Sequence, residues 1–237
     1  NNIDPYLQEK KISNTIGNDV SEKIKLEINR TNSLSERIYK AIIGTIVGNI
    51  IDFSTAEHKF KLDAKEFEDL YTQNLEIGFK INDFKLFISL LDEVRSILYV
   101  LDNAGEIAFD KLLIEELLAI GKRVIIVLKD GPIANDATLN DAKQVGLDKL
   151  EVELITTGSN ALGVMFDEVS EQFIDKLEKS DLIISKGQSN WECFTYFKDH
   201  LNIPILFILR AKCSPIAEFL GVNVGDNVLK LTKYAPQ

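Results

Sequence analysis

Asp102 and Asn103 open the run Asp102-Asn103-Ala104-Gly105-Glu106 directly after the apolar stretch Ile97-Leu98-Tyr99-Val100-Leu101, so a carboxylate and an amide stand where a buried strand should end. An open α/β sheet places its chemistry there, outside the carboxyl ends of its strands. The run has one glycine where the dinucleotide fingerprint G-x-G-x-x-G needs three, so it offers oxygen ligands rather than a phosphate cradle. A second acid and amide cluster, Asn135-Asp136-Ala137-Thr138, follows the apolar run 123–128. Two strands that each deliver such a pair suit a hard divalent cation.

In a parallel sheet every carboxyl strand end lies on one edge, so residues far apart in sequence meet in one crevice. The first strand delivers Asp102, Asn103 and Glu106; the second Lys129, Asn135 and Asp136; the fourth Lys186, Gly187, Gln188 and Asn190; the fifth Arg210 and Lys212. Oxygens beside ammonium groups and backbone N–H donors fit a divalent ion next to an anionic group.

Each residue also has a plainer reading. Asp102 and Asp136 can each cap a following helix, the commonest use of Asp after a strand; two such loops with paired cations favour a site. Lys129 reads as a surface residue, whereas Lys186 and Lys212 follow apolar strands, have small neighbours and read as site cations. Arg210 fits either use. In Gly48-Asn49-Ile50-Ile51-Asp52, the polar residues Asn49 and Asp52 end an apolar helix, as a turn or as a contribution to the crevice. His58 and His200 stand in charged contexts without metal-ligand spacing and read as solvated. Trp191 reads as packing beside the fourth-strand loop, with an aromatic wall for a substrate as the other use. Cys193 and Cys213 read as small apolar fillers.

Residues 1–96 carry a helical pattern and 97–237 an α/β pattern, with no low-complexity linker between them. The first helix is expected to start with Asp4 as N-cap and Pro5 at its first position. Ser33-Leu34-Ser35-Glu36 has capping-box spacing ahead of the apolar run 38–43, and further helices are expected around 67–71 and over 84–94, with no competing strand. After Ser96 short apolar runs alternate with helical segments, the habit of a mostly parallel sheet. Strands are expected at 97–101, 124–128, 151–155, 182–185 and 205–209. A crossover helix spans 109–118 and ends near Gly121, and another helix spans 168–178. The fold class that follows is a three-layer α/β/α core with a helical N-terminal part.

The chain has 237 residues, 45% of them hydrophobic, enough for a sizeable core. A formal charge of −10 argues against nucleic acid and anionic membrane as partners. No apolar run reaches the roughly 18 residues a membrane span needs, and there is no cleavable leader pattern. Two cysteines without C-x-x-C spacing support neither a disulfide framework nor a thiolate zinc site, so a reduced cytoplasmic setting fits best. Position 1 is Asn rather than Met, which fits a chain that begins inside a longer product.

The stretches Gly48–Asp52, Asp102–Glu106, Lys129–Thr138, Ser185–Asn190 and Arg210–Cys213, in this order, make the chain resemble the DUF89 family, the ARMT1-like damage-control phosphatases. The Gly-Gln-Ser-Asn form of the fourth-strand loop and the compact length are similar to the stand-alone microbial branch, although the cysteine-bearing opening segment common there is absent. The resemblance implies a divalent metal (Mg, Mn, Co or Ni) on Asp102, Asn103 and Asp136, and hydrolysis of small phosphorylated metabolites such as sugar phosphates or cofactor precursors.

The expected function is therefore a metal-dependent phosphomonoesterase. Asp102, Asn103, Glu106 and Asp136 form its catalytic group, and Asn49, Asp52, Asn135, Lys186, Gly187, Asn190 and Lys212 its substrate contacts. Glu106 would orient water or a sugar hydroxyl; Asp102 as nucleophile and metal-activated water both stay open. Two rivals come from other classes. A carboxyl methyltransferase using S-adenosylmethionine would want a glycine-rich first loop and an acid ending the second strand, where this chain has Gly105 and Lys129. A non-catalytic phosphometabolite-binding protein would keep the cations and need no metal. A homo-oligomer is compatible with the sequence.

Overall fold

The computed structural model describes residues 4–50, 64–197 and 201–232. Seven strands form one sheet: β1 (Ile81–Asn82), β2 (Ser96–Val100), β3 (Arg123–Leu128), β4 (Glu153–Thr156), β5 (Leu182–Lys186), β6 (Ile205–Arg210) and β7 (Asn227–Thr232). Their order is β1-β7-β6-β5-β2-β3-β4, and every pairing is parallel except β6 with β7. The chain winds outward from β2 through β3 to β4, then returns to place β5 on the other side of β2. The crevice between the carboxyl ends of β2 and β5 is thus the switch point at which such sheets bind ligands.

The central strands are buried on both faces because their residues alternate between two apolar layers. Ile97, Tyr99, Ile126, Ile184 and Ile208 face one cluster; Leu98, Val100, Val127, Ile183 and Phe207 face the other. The first layer is closed by α1 (Leu7–Asn29), α2 (Leu34–Ile50), α3 (Ala64–Ile77), α4 (Phe84–Leu91) and α5 (Ile107–Ala119). The second is closed by α7 (Glu171–Glu178), α8 (Gln188–Tyr196) and α9 (Ser214–Leu220). A short α6 (Leu139–Gln144) follows β3. Helix α2 is buried from Ala41 to Asn49. It seats closely on α5 because Gly48 has no Cβ; one there would lie 2.9 Å from the Phe109 ring. That contact carries Asn49 to the sheet edge.

The three-layer architecture agrees with the sequence expectation, with differences in detail. The apolar alternation that marks the central strands is missing from both additional strands. β1 has two residues, within a stretch expected to be helical throughout, and β7 carries the half-exposed Lys230 and Thr232 at its outer end. The expected strand 151–155 lies at Glu153–Thr156. Helix α1 begins two residues after Pro5, because Asp4 Oδ1 accepts from the Tyr6 N–H at 2.9 Å and closes a turn first. Helix α4 ends at Leu91, and α7 begins at Glu171 with Ser170 accepting from Phe173 N–H, three residues later than the periodicity implies. No helix among the described residues is long and apolar enough to cross a membrane.

Candidate active site

The loops after β2 and β3 are zipped together by their backbones. Ala137 N–H donates to the Asp102 carbonyl at 2.8 Å and Ala104 N–H to the Asn135 carbonyl at 2.9 Å, so Asn103 and Asp136 pair as an antiparallel bridge. Asp136 N–H closes a turn onto Ile133, through Ala134 at φ +42°, a left-handed conformation that costs a non-glycine residue about 1–3 kcal/mol. Neither acid is spent on a helix end. Helix α6 is capped by Thr138 in a reciprocal box with Asp141, and α5 starts from Glu106 with no side-chain cap.

Around Asp102 the polar groups are amides. Asn103 Nδ2 donates to Asp102 Oδ2 at 3.0 Å, and Asn49 Nδ2 from α2 approaches the same oxygen at 3.4 Å. Both amides also donate to Glu106 Oε2, at 3.2 and 3.0 Å. The other oxygen, Glu106 Oε1, takes Lys186 Nζ at 2.5 Å. Lys186 further contacts Asp110 Oδ1 at 3.1 Å, and that oxygen accepts from the Tyr99 hydroxyl at 2.9 Å. Glu106 and Asp110 lie one helical turn apart on α5 and grip the lysine from one side.

Two expected roles change accordingly. Glu106 has both oxygens engaged, so it holds Lys186, Asn49 and Asn103 rather than a free water. Lys186 is 0% exposed, below the site, and presents no surface to a substrate phosphate. Lys129, which reads as a surface residue, is 4% exposed. Its ammonium bonds the Gly163 carbonyl and lies 3.6 Å from Asp136 Oδ2, because the β4–α7 loop folds over the end of β3. Asn190 is buried, its amide donating to the carbonyls of Leu101 and Lys186, so it ties β2 to β5. Lys212 remains exposed, its N–H held by Gln188 Oε1 at 3.3 Å. Asp52, His58 and His200 lie outside the described residues.

The charges are unevenly compensated. Burial of its carboxyl group pushes Asp102 well above the usual range, and the nearby charges of Glu106 and Asp136 push the same way against Lys186 and Lys212. Burial likewise raises Asp136, opposed by Lys129. Burial alone would raise Glu106 too, but Lys186 and Lys212 hold it below its ordinary value. Asp110 rises to about 7 through burial and the Glu106 charge, offset by Lys186. Burial would lower Lys186, yet Asp110 and Glu106 outweigh it and keep the lysine charged.

Gly187 sets the approach of β5 to Asp102. Its φ is +77°, and a Cβ there would fall 1.9 Å from Asp102 Oδ2. Gly187→Ala is therefore expected to displace Asp102 and lower the thermal midpoint, with a cost of about 1–3 kcal/mol from backbone strain alone. Differential scanning fluorimetry and cation titration check it. Sequence reasoning placed Gly187 in the site without this reason. It missed Asp110, although Asp102, Glu106 and Asp110 follow at helical spacing, and it missed Asn14 on α1, whose Oδ1 accepts from Gly105 N–H at 2.7 Å.

Among the described residues no group of three or more His, Cys, Asp or Glu side chains is arranged to hold a metal. The Asn103–Asp136 backbone bridge brings Asp136 beside Asp102 and Asn103 at this edge. Acids and an amide at the switch point of a mostly parallel sheet define a strand-edge phosphatase of the DUF89 type. Residues 1–228 match the damage-control phosphatase ARMT1-like domain, and the chain belongs to that family and is a phosphatase. It is 43% identical to an uncharacterised protein of Methanocaldococcus jannaschii over 97% of this chain and 74% of that one. It is 36% identical to a damage-control phosphatase of Archaeoglobus fulgidus, over 97% of this chain and 76% of the relative. The crystal structure of a DUF89 family protein from Pyrococcus horikoshii superposes with a TM-score of 0.79 at 34% identity, covering 95% of this chain and 74% of that one.

Proposed function

We propose that the chain is a divalent-metal-dependent phosphomonoesterase acting on small phosphorylated metabolites, sugar phosphates or cofactor precursors among them. In this reading Asp102, Asn103 and Asp136 hold the metal. The observation that carries it is the set of groups around Asp102: its carboxylate has amides for neighbours, two further carboxylates nearby and no ion-pair partner among the described residues, an arrangement that a hard cation relieves. A bound divalent cation supplies Lewis-acid polarisation of phosphoryl oxygens.

The chain's own residues do the rest. Lys212 is exposed, and its charge acts on both Asp102 and Glu106, so it would draw the phosphate to the strand edge. Lys129 holds Asp136, and the Lys186 and Glu106 pair holds Asn49 and Asn103 in register. Phosphoryl transfer depends on positioning and charge neutralisation more than on covalent chemistry, so this set is sufficient.

The test is release of inorganic phosphate from a panel of sugar phosphates, nucleotides and cofactor precursors by metal-reconstituted protein, with Mg, Mn, Co and Ni compared. Hydrolysis that chelation abolishes and metal restores is expected; a flat response across panel and metals overturns the reading. Lys212→Met should leave the thermal midpoint and cation affinity unchanged. It should lower kcat/KM by about 100-fold, the usual scale for losing one group that stabilises transition-state charge.

A further inference from the structure

Of the positive charges acting on Asp102, Lys186 is the stronger, ahead of Lys212, and an ion pair between Lys186 and Asp102 would occupy the carboxylate that the proposed metal needs. Among the described residues there is no such pair. The Lys186 ammonium lies against Glu106 at 2.5 Å and Asp110 at 3.1 Å, both on α5, while Asp102 receives only amide donors. Glu106 alone would not fix this direction, since its second oxygen is joined through Asn49 and Asn103 to Asp102 itself. Asp110 supplies the opposing pull. It is fully buried one turn further along α5, away from the strand edge, and the Tyr99 hydroxyl anchors the oxygen that meets the lysine. Its second oxygen, Oδ2, has no hydrogen-bond partner among the described residues. A buried carboxylate left half-satisfied costs roughly 1–3 kcal/mol or more, which the contact with the Lys186 ammonium offsets.

We propose that Asp110 is a positioning residue: it tethers the Lys186 ammonium to α5 and so keeps the Asp102 carboxylate open for a divalent cation. The inference rests on the metal reading above and adds to it a residue that touches neither metal nor substrate. The physical basis is competition between two cations for one anion inside a low-dielectric site, where a unit charge at contact distance carries several kcal/mol.

The experiment is calorimetric titration of Mn²⁺ into the whole chain and into Asp110→Asn, Lys186→Met and the double variant, with the thermal midpoint of each recorded. Asn keeps the size of Asp and an acceptor for Tyr99 but loses the charge that holds the lysine. Asp110→Asn is expected to weaken Mn²⁺ by about tenfold or more, the equivalent of 1.4 kcal/mol. Adding Lys186→Met should restore affinity to within about threefold of the unaltered chain, because the competing cation is gone. A merely structural Asp110 would give a lowered thermal midpoint and no such restoration. Unaltered affinity in Asp110→Asn, or a double variant as weak as Asp110→Asn alone, overturns the tether. Absence of Mn²⁺ binding by the unaltered chain overturns the metal reading and the tether with it.

Discussion

Asp102→Ala and Asp136→Ala are each expected to abolish divalent-cation binding and to lower phosphate release by on the order of 10³-fold, with the fold retained. The two acids come from different strand-end loops, which their backbones zip together. Stability should respond in the unusual direction at Asp102. Its carboxylate is raised by burial and by like charges, so the folded chain holds that proton to higher pH than the unfolded chain does. The metal-free fold therefore loses stability as pH climbs through that range. Asp102→Ala removes the penalty and should raise the thermal midpoint of the metal-free protein near pH 8 while erasing the stabilisation that added cation gives the unaltered chain. Thermal melts with and without Mn²⁺ decide it. A cation-dependent rise that survives in both variants would remove these residues from the metal site.

The parts of this arrangement that were legible in the sequence are those dictated by periodicity. Four of the five strands from 97 to 209 read clearly because both faces are buried and their residues are mostly apolar, and parallel order then placed Asp102, Asp136, Lys186 and Lys212 on one edge. β7 was not legible, since its outer half is polar and it runs against its neighbour at the far side of the sheet. Lys129 was misread for a related reason. A lysine after a strand reads as solvent-facing, and its burial depends on the β4–α7 loop, whose path over β3 no local pattern encodes. Asp110 was hidden by its helix, where an acid among Phe109, Lys111 and Leu112 resembles any amphipathic position. Only the pairing of α5 with β5 and with Tyr99 gives it a partner.

Lys186→Met carries the second large effect, and the structure changes its nature from the one the sequence implied. A lysine reaching the substrate phosphate would lose turnover on substitution and keep its stability. Instead the ammonium is wholly buried between Glu106 and Asp110, and removing it strands two buried carboxylates, a loss of about 3–5 kcal/mol when one partner of a buried pair is deleted. The variant is therefore expected to melt well below the unaltered protein at neutral pH and to lose turnover in step with that lower midpoint, while Glu106 Oε2 still accepts from Asn49 and Asn103. The pH dependence identifies the cause. Without the lysine, burial outweighs the remaining opposition, Lys212 at Glu106 and the Tyr99 hydroxyl at Asp110, and raises both carboxyl groups above their unfolded values, so the folded variant binds more protons than its unfolded chain. Its stability should recover as pH falls from about 8 towards 5. The difference in midpoint between variant and unaltered chain should shrink over that interval. A constant difference across the same pH range would mean that packing, and not the stranded charges, accounts for the loss.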